Sequence, residues 1–182
     1  MALPNKPKGE LKAVRDPEVV EKEVDILIVG GGMAACGTAF EIKKWAPDKK
    51  ILLVDKAALE RSGAVSQGLS AINTYIGENT PEDYVRIVRN DLMGIVREDL
   101  IYDLGFHVDD SVFLFEEWGL PIWKLTEDGK KLDGKKGQKM GTLKGGATPV
   151  RTGKWQIMIN GESYKRIVAE AAKLALGDEN IL

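Results

Sequence analysis

The segment from Asp25 to Lys56 constrains the fold more than any other part of the chain. It reads DILIVGGGMAACGTAFEIKKWAPDKKILLVDK. Asp25-Ile26-Leu27-Ile28-Val29 is a short apolar, β-branched run, the pattern of a strand buried in a parallel sheet. Gly30-Gly31-Gly32 follows. Met33 to Trp45 then places Ala35, Ala39 and Ile42 on one helical face, and Pro47-Asp48 breaks that helix. Ile51 to Val54 reads as a second buried strand, ending in Asp55-Lys56. Strand, glycine turn, helix and strand in that order predict a βαβ unit, and hence an α/β fold with a parallel sheet.

Gly30-Gly31-Gly32-Met33-Ala34-Ala35 fits the spacing G-x-G-x-x-G/A. Each position has a physical task. Gly30 permits the tight turn out of the strand, Gly32 lets backbone N–H groups approach a pyrophosphate, and Ala35 allows close helix–strand packing. Phosphates then sit at a helix N-terminus, where unpaired N–H groups and about half a positive charge attract anions. Asp55 follows Gly32 by 23 residues, close to the ~20 expected for the acid that binds ribose hydroxyls. A phosphate-free turn is the alternative for a glycine triplet. The strand before it, the helix after it and the acid at Asp55 favour dinucleotide binding. Cys36 falls on the helix and reads as a small packing residue.

NAD and FAD both use this spacing, and the residues after Lys56 separate them. Arg61 to Asn73 read RSGAVSQGLSAIN. A nicotinamide domain continues with ordinary strand–helix alternation. Here Ser62-Gly63 and Ser66-Gln67-Gly68 offer hydroxyls, an amide and bare backbone, which suits a flat ring. The stretch reads as a flavin cradle.

The remaining sequence bounds what else the chain does. It has 182 residues, 43% apolar and 30% charged, with a formal net charge of −2. No overall basic character points to nucleic acid. One cysteine, Cys36, excludes an internal disulfide and a cysteine-held cluster within this chain. The uncharged run Ile26 to Phe40 is shorter than the ~20 residues of a membrane span. The N-terminus MALPNKPKGELK lacks the apolar core of an export signal. A cytoplasmic protein with no transmembrane segment is expected.

Residues 1–23 read as an N-terminal arm and 24–182 as the N-terminal part of an incomplete, truncated binding domain. Thr80-Pro81-Glu82-Asp83 predicts a helix start, with Tyr84, Ile87, Val88 and Ile95 continuing at helical spacing. A further helix is expected from near Asp109 to Trp118, ended by Gly119-Leu120-Pro121. Residues 124–154 carry nine Lys/Arg, three Asp/Glu and seven glycines, which predicts a basic, glycine-rich loop outside the core. Trp155 to Ile159 reads as a strand. The helix after Gly161 is expected to turn Ile167, Val168, Ala171 and Leu174 inward. Asn180-Ile181-Leu182 reads as the entry to another strand.

Taken together, VGGGMAACGTA, VDKAALERSGAVSQGLSAIN, FEEWGLPIWK and WQIMINGESYK resemble the flavoproteins of the succinate dehydrogenase/fumarate reductase superfamily. Within it they are most similar to the alpha subunits of dissimilatory adenylylsulfate reductases. The resemblance covers nearly everything after residue 23, and those subunits are several times longer. It implies a Rossmann-like FAD-binding domain. It also implies an oxidoreductase interconverting adenosine 5′-phosphosulfate and AMP plus sulfite, with sulfite adding to the flavin N5. Electrons would come from a partner beta subunit that alone carries the iron–sulfur clusters.

Residue by residue, the resemblance places Gly30, Gly32 and Ala35 in the phosphate turn. Asp55 takes the ribose, with Lys56 beside it, and Ser62, Gly63, Ser66, Gln67 and Gly68 take the flavin. Succinate dehydrogenases resemble RSHT where this chain has Arg61-Ser62-Gly63, and their histidine bonds covalently to FAD. Glycine implies non-covalent FAD. Asn73 matches a family asparagine near flavin and substrate, whose amide would donate to a sulfite or sulfate oxygen; a turn or cap residue is the other reading. Phe106 and Phe113 stand where the family leads one to expect Arg and His. No metal ligand is expected, and His107, the single histidine, has no partner that would make a dyad. Glu116-Glu117 face different directions on a helix. Trp118, Trp123 and Trp155 read as packing residues. The competing functions are a fumarate reductase or aspartate oxidase relative, and an FAD-binding module without chemistry of its own.

Overall fold

The computed structural model describes residues 18–74, 80–153 and 155–182. The first 17 residues of the expected arm lie outside them, and Glu18 to Glu23 run exposed without regular structure. β1 (Ile26–Val29) and β2 (Ile51–Val54) pair in parallel, in register from Ile26 with Ile51 to Val29 with Val54. α1 (Met33–Trp45) makes the crossover. Ile181 bridges Leu53 in parallel on the other edge of β2, so the expected strand entry is present. Its neighbour Leu182 donates to the Leu53 carbonyl at 2.9 Å and accepts from the Asp55 amide at 2.8 Å.

The chain then leaves the parallel sheet. β3 (Ala71–Asn73) is followed by α2 (Pro81–Asp91) and α3 (Glu98–Glu117). Thr80 caps α2, its hydroxyl accepting from the Asp83 amide at 3.3 Å, and Pro81 occupies the first turn. This helix stops at Asp91, before Ile95. Met93 at φ 51° and Gly94 at φ 82° reverse the chain. The helix expected from Asp109 begins eleven residues earlier. Ile101, Gly105, Val108 and Val112 form its inward stripe, and a Cβ at Gly105 would come within 3.0 Å of the Tyr84 ring. The absent side chain is what lets α2 and α3 pack so closely.

Residues 124–154, expected as a loop outside the core, contribute strands and core residues. β4 (Lys124–Leu125), β5 (Lys131–Leu132) and β6 (Thr148–Pro149) form a small antiparallel sheet in the order β5-β4-β6. β7 (Arg151–Gly153) and β8 (Gln156–Met158) join β3 in a second antiparallel sheet, in the order β3-β8-β7. Leu143 and Val150 are buried. So is Lys124, paired with the Glu116 carboxylate, which also accepts from the Leu143 amide at 2.8 Å. The lysine count misled because one of those charges is neutralised inside the fold, and the others among the described residues lie on its surface.

α4 (Gly161–Leu176) packs along α1. Asn160 caps it, accepting from the Ser163 amide at 3.0 Å. Small residues on both helices, Cys36 and Ala39 against Ala169 and Ala172, allow the approach, and all four are fully buried. Leu174 points outward, and Leu176 takes the buried position expected of it. The main core joins Leu53, Ile122, Ile157, Ile159, Val112 and Val168. Full burial of such side chains is worth about 1.5–3 kcal/mol each. The opposite face of β1 is bare: Leu27 and Val29 are 55% and 76% exposed.

Candidate functional site

The glycine triplet sits where strand geometry ends and helix geometry begins. Gly30 adopts φ +100°, a conformation other residues resist, and donates to the Val54 carbonyl at 2.7 Å. Gly31 is crowded: a Cβ there would run into the Asp55 carboxylate and the Leu59 side chain. Gly32 caps α1 in an extended conformation with no side chain to bind the first-turn amides. Those amides have no side-chain cap, the arrangement in which helix N-termini take anions. A Cβ on Gly32 would meet only Gly63 Cα, at 3.8 Å, so its space is open on the outer side. Ala35 is half-buried against the main core, where the spacing required a small residue.

The turn after β2 closes over this point. Leu59–Arg61 and Ala64–Gln67 form two short 3-10 turns. Between them Ser62, 8% exposed, donates its hydroxyl to Asp55, while the Lys56 amide donates to the other Asp55 oxygen at 2.9 Å. A carboxylate accepts about four hydrogen bonds, so Asp55 retains capacity for ribose hydroxyls. The Lys56 side chain is exposed, and its backbone supplies the contact. Gly63, at φ +80°, lies so close to Gly32 that a Cβ would fall 2.8 Å from Gly32 Cα. Ser66 donates to the Gly63 carbonyl at 2.7 Å, Gln67 is exposed, and Gly68 ends the turn in the left-handed region at φ +86°. Gly30–Gly32, Asp55 and the Ser62–Gly68 stretch thus form one contiguous feature.

Asn73 lies further along. It closes β3 opposite Gln156 and is exposed, on a recess of about 200 Å3 with Tyr84, Asp91 and Trp155. No residue of the phosphate turn lines that recess. A larger cleft of about 460 Å3 between α1 and α3 includes Met33 and Ala34 but neither Asp55 nor the cradle. Phe113 packs on the core in that region, and Phe106 is exposed beside the His107 ring. His107 lies 3.7 Å from Asp110 on the surface of α3. Glu117 pairs with Lys144, so the adjacent acids diverge as expected. Among the described residues no group of His, Cys, Asp and Glu is placed to hold a metal ion, and no helix is long and apolar enough to cross a membrane.

One charged group escaped the sequence reading. Lys165 on α4 is 3% exposed and donates to the Leu59 carbonyl and, at 3.6 Å, to Cys36 Sγ. Its spacing was a signal: Lys165 falls one turn before Val168 and Ala169, on the inward face of α4. Burial pushes the Cys36 thiol up, with the Lys165 charge opposing. The protonated thiol donates to the Gly31 carbonyl at 3.6 Å.

A βαβ unit whose glycine turn, open helix N-terminus and acid converge in this way defines a dinucleotide-binding domain of the flavoprotein type. The FAD binding domain family model matches residues 25–176, and the chain belongs to that family. It is 63% identical over 185 aligned residues to adenylylsulfate reductase subunit alpha of Megalodesulfovibrio gigas, a match spanning 99% of this chain and 28% of the relative. The adenylylsulfate reductase structure of Archaeoglobus fulgidus superposes with TM-score 0.70 at 55% identity, over 87% of this chain and 23% of that one. An adenosine-5-phosphosulfate reductase in complex with sulfite, a covalent adduct, matches equally well. Quinol fumarate reductase of E. coli shares the fold, with TM-score 0.60 at 17% identity over 87% of this chain and 25% of that chain. The chain therefore spans about a quarter of the length of these relatives.

Proposed function

We propose that the protein carrying this chain is an adenylylsulfate reductase that interconverts adenosine 5′-phosphosulfate and AMP plus sulfite, with this chain supplying the phosphate-binding side of a non-covalent FAD site. The observation that carries the reading is the contact between Gly63 and Gly32. A Cβ at 63 would fall 2.8 Å from Gly32 Cα, so the position where related dehydrogenases carry a flavin-linking histidine has no room for a side chain. The identity to the Megalodesulfovibrio gigas subunit across 99% of the chain supports the same choice.

The residues fit the group. Open space over Gly32 and the free amides of α1 suit a diphosphate, and Asp55 suits a ribose. Gly63, Ser66, Gln67 and Gly68, beside Ser62, suit a flat ring. FAD supplies the two-electron chemistry. The chain's own residues bind and orient. The α1 N-terminus neutralises phosphate charge, Ser62 fixes the Asp55 carboxylate, and the Asn73 amide donates to an oxygen of the sulfur oxyanion. Electrons arrive from an iron–sulfur beta subunit, and the enzyme works in the cytoplasm.

The test is an acceptor-reduction assay on the intact flavin-loaded protein with its partner. Turnover dependent on both AMP and sulfite, and absent with succinate, is expected. Succinate oxidation without response to sulfite would move the protein to the fumarate reductase class.

A further inference from the structure

We infer that Lys165 is a positioning residue for the dinucleotide, fixing the two sides of the phosphate turn from behind and placing a buried positive charge there. This rests on the assignment of the Gly30–Gly32 turn to FAD. The ammonium is 3% exposed and sits where α4, α1 and the turn after β2 meet. One proton goes to the Leu59 carbonyl, at the start of the 3-10 turn that leads into Ser62 and Gly63. Another goes to Cys36 Sγ at 3.6 Å, and the thiol in turn donates to the Gly31 carbonyl at 3.6 Å. Lys165 therefore holds Leu59 and, through Cys36, Gly31. Gly31 is the position at which an added Cβ would run into both Leu59 and the Asp55 carboxylate.

The charge matters as well as the donors. Among the described residues no carboxylate lies within ion-pair distance of Lys165. The Glu60 carboxylate pairs directly with Lys173 and feels the Lys165 charge only from a longer distance, and Asp55 is held by Ser62 and its own following amide. A buried cation without a paired anion is costly to keep. A methionine would satisfy the packing at lower cost if packing were its only task. A bound diphosphate on the outer side of the turn supplies negative charge across the backbone of the turn, and attraction through protein is stronger than through water. The ammonium therefore favours the loaded state over the empty one.

The experiment uses the intact protein, stripped of flavin with bromide and titrated with FAD, comparing wild type with Lys165→Met and Lys165→Gln. The expected result is a rise in the FAD dissociation constant of roughly 10- to 100-fold in Lys165→Met, from loss of the buried charge that faces the diphosphate across the turn. Lys165→Gln, which keeps a donor but no charge, is expected in between. The melting temperature of the flavin-free protein should be unchanged or higher in Lys165→Met, with a smaller rise on adding FAD. A purely structural lysine gives a different pattern. Flavin-free melting then drops in both variants while the FAD-induced rise is kept, and that result overturns the inference. Unchanged FAD affinity in a folded Lys165→Met protein overturns it too. Gly32→Val is the control for the underlying assignment: if it binds FAD normally, the turn itself is misplaced, whatever Lys165 does.

Discussion

Gly32 and Gly63 face each other, yet their missing side chains serve different ends. A Cβ on Gly32 meets nothing in the protein closer than 3.8 Å, whereas one on Gly63 meets Gly32 Cα at 2.8 Å and would also be held at φ +80°. Gly63→Ala is therefore expected to strain the fold itself. It should lower the melting temperature of the flavin-free protein and reduce FAD content together, as read by calorimetry and by the ratio of visible to ultraviolet absorbance. Asn73 has no such burden. It is exposed at the end of β3 and lines the recess beside Trp155. Asn73→Ala should leave FAD content and melting intact and slow AMP- and sulfite-dependent turnover by about a hundredfold or more, the usual cost of an oriented donor at developing charge. Near-normal turnover would make Asn73 a strand-end residue only.

At the level of elements, two buried polar contacts fix how α3 sits. The first joins Glu116 to Lys124 of β4, with side chains 12% and 5% exposed. Lys124→Met leaves the Glu116 carboxylate buried and unpaired, and a loss of about 3–5 kcal/mol in stability is expected. The double change Lys124→Met with Glu116→Gln should recover much of it in urea unfolding. No recovery would mean that the lysine acts by packing. The second contact joins Thr74 to Asp109, the hydroxyl donating at 2.7 Å. Burial pushes the Asp109 carboxyl up from 3.8, and the Thr74 bond opposes. Between 3.8 and that raised value the folded protein holds a proton that the unfolded chain releases. The group's contribution to stability falls as pH rises from about 3.8 through the raised folded value. Asp109→Asn should raise the melting temperature at neutral pH, with the difference closing below that window. A constant difference across pH would contradict the assignment.

The same elements explain what could be read from the sequence. The βαβ unit was legible because its signals are local: an apolar run, a glycine triplet, a helical stripe and a second run, all within 32 residues from Asp25 to Lys56. Thr80 and Asn180-Ile181 were legible for the same reason, as cap and strand entry. The first half of α3 was not. Leu100, Leu104 and Phe106 are 55%, 52% and 61% exposed, so its apolar residues surround the helix and blur the stripe of Ile101, Gly105 and Val108. The strands within 124–154 were hidden because two-residue ladders are set by their partners rather than by their own pattern. The candidate site was legible at Gly30, Gly32, Asp55 and the Ser62–Gly68 stretch. At Lys165 only the inward position on α4 could be read, because its partners Leu59 and Cys36 lie 106 and 129 residues away.

For the molecule as a whole, the parts that would meet FAD and the parts that hold them belong to one packed unit. α4 backs both α1 and the turn after β2, and Gly161 at its start lies against the Gly68 and Leu69 carbonyls. The bare face of β1, with Leu27 and Val29, lies in a chain that spans 28% of the Megalodesulfovibrio gigas subunit's length. Flavin retention is accordingly best measured on the intact protein. The most direct measurement is the stoichiometry of flavin released by acid precipitation, from wild type and from Gly32→Val. One FAD per chain in the wild-type supernatant, a colourless pellet, and no flavin from a Gly32→Val protein that still melts cooperatively are the predicted results. Flavin retained in the wild-type pellet, or a full complement of FAD in Gly32→Val, would contradict a non-covalent dinucleotide seated on the Gly30–Gly32 turn.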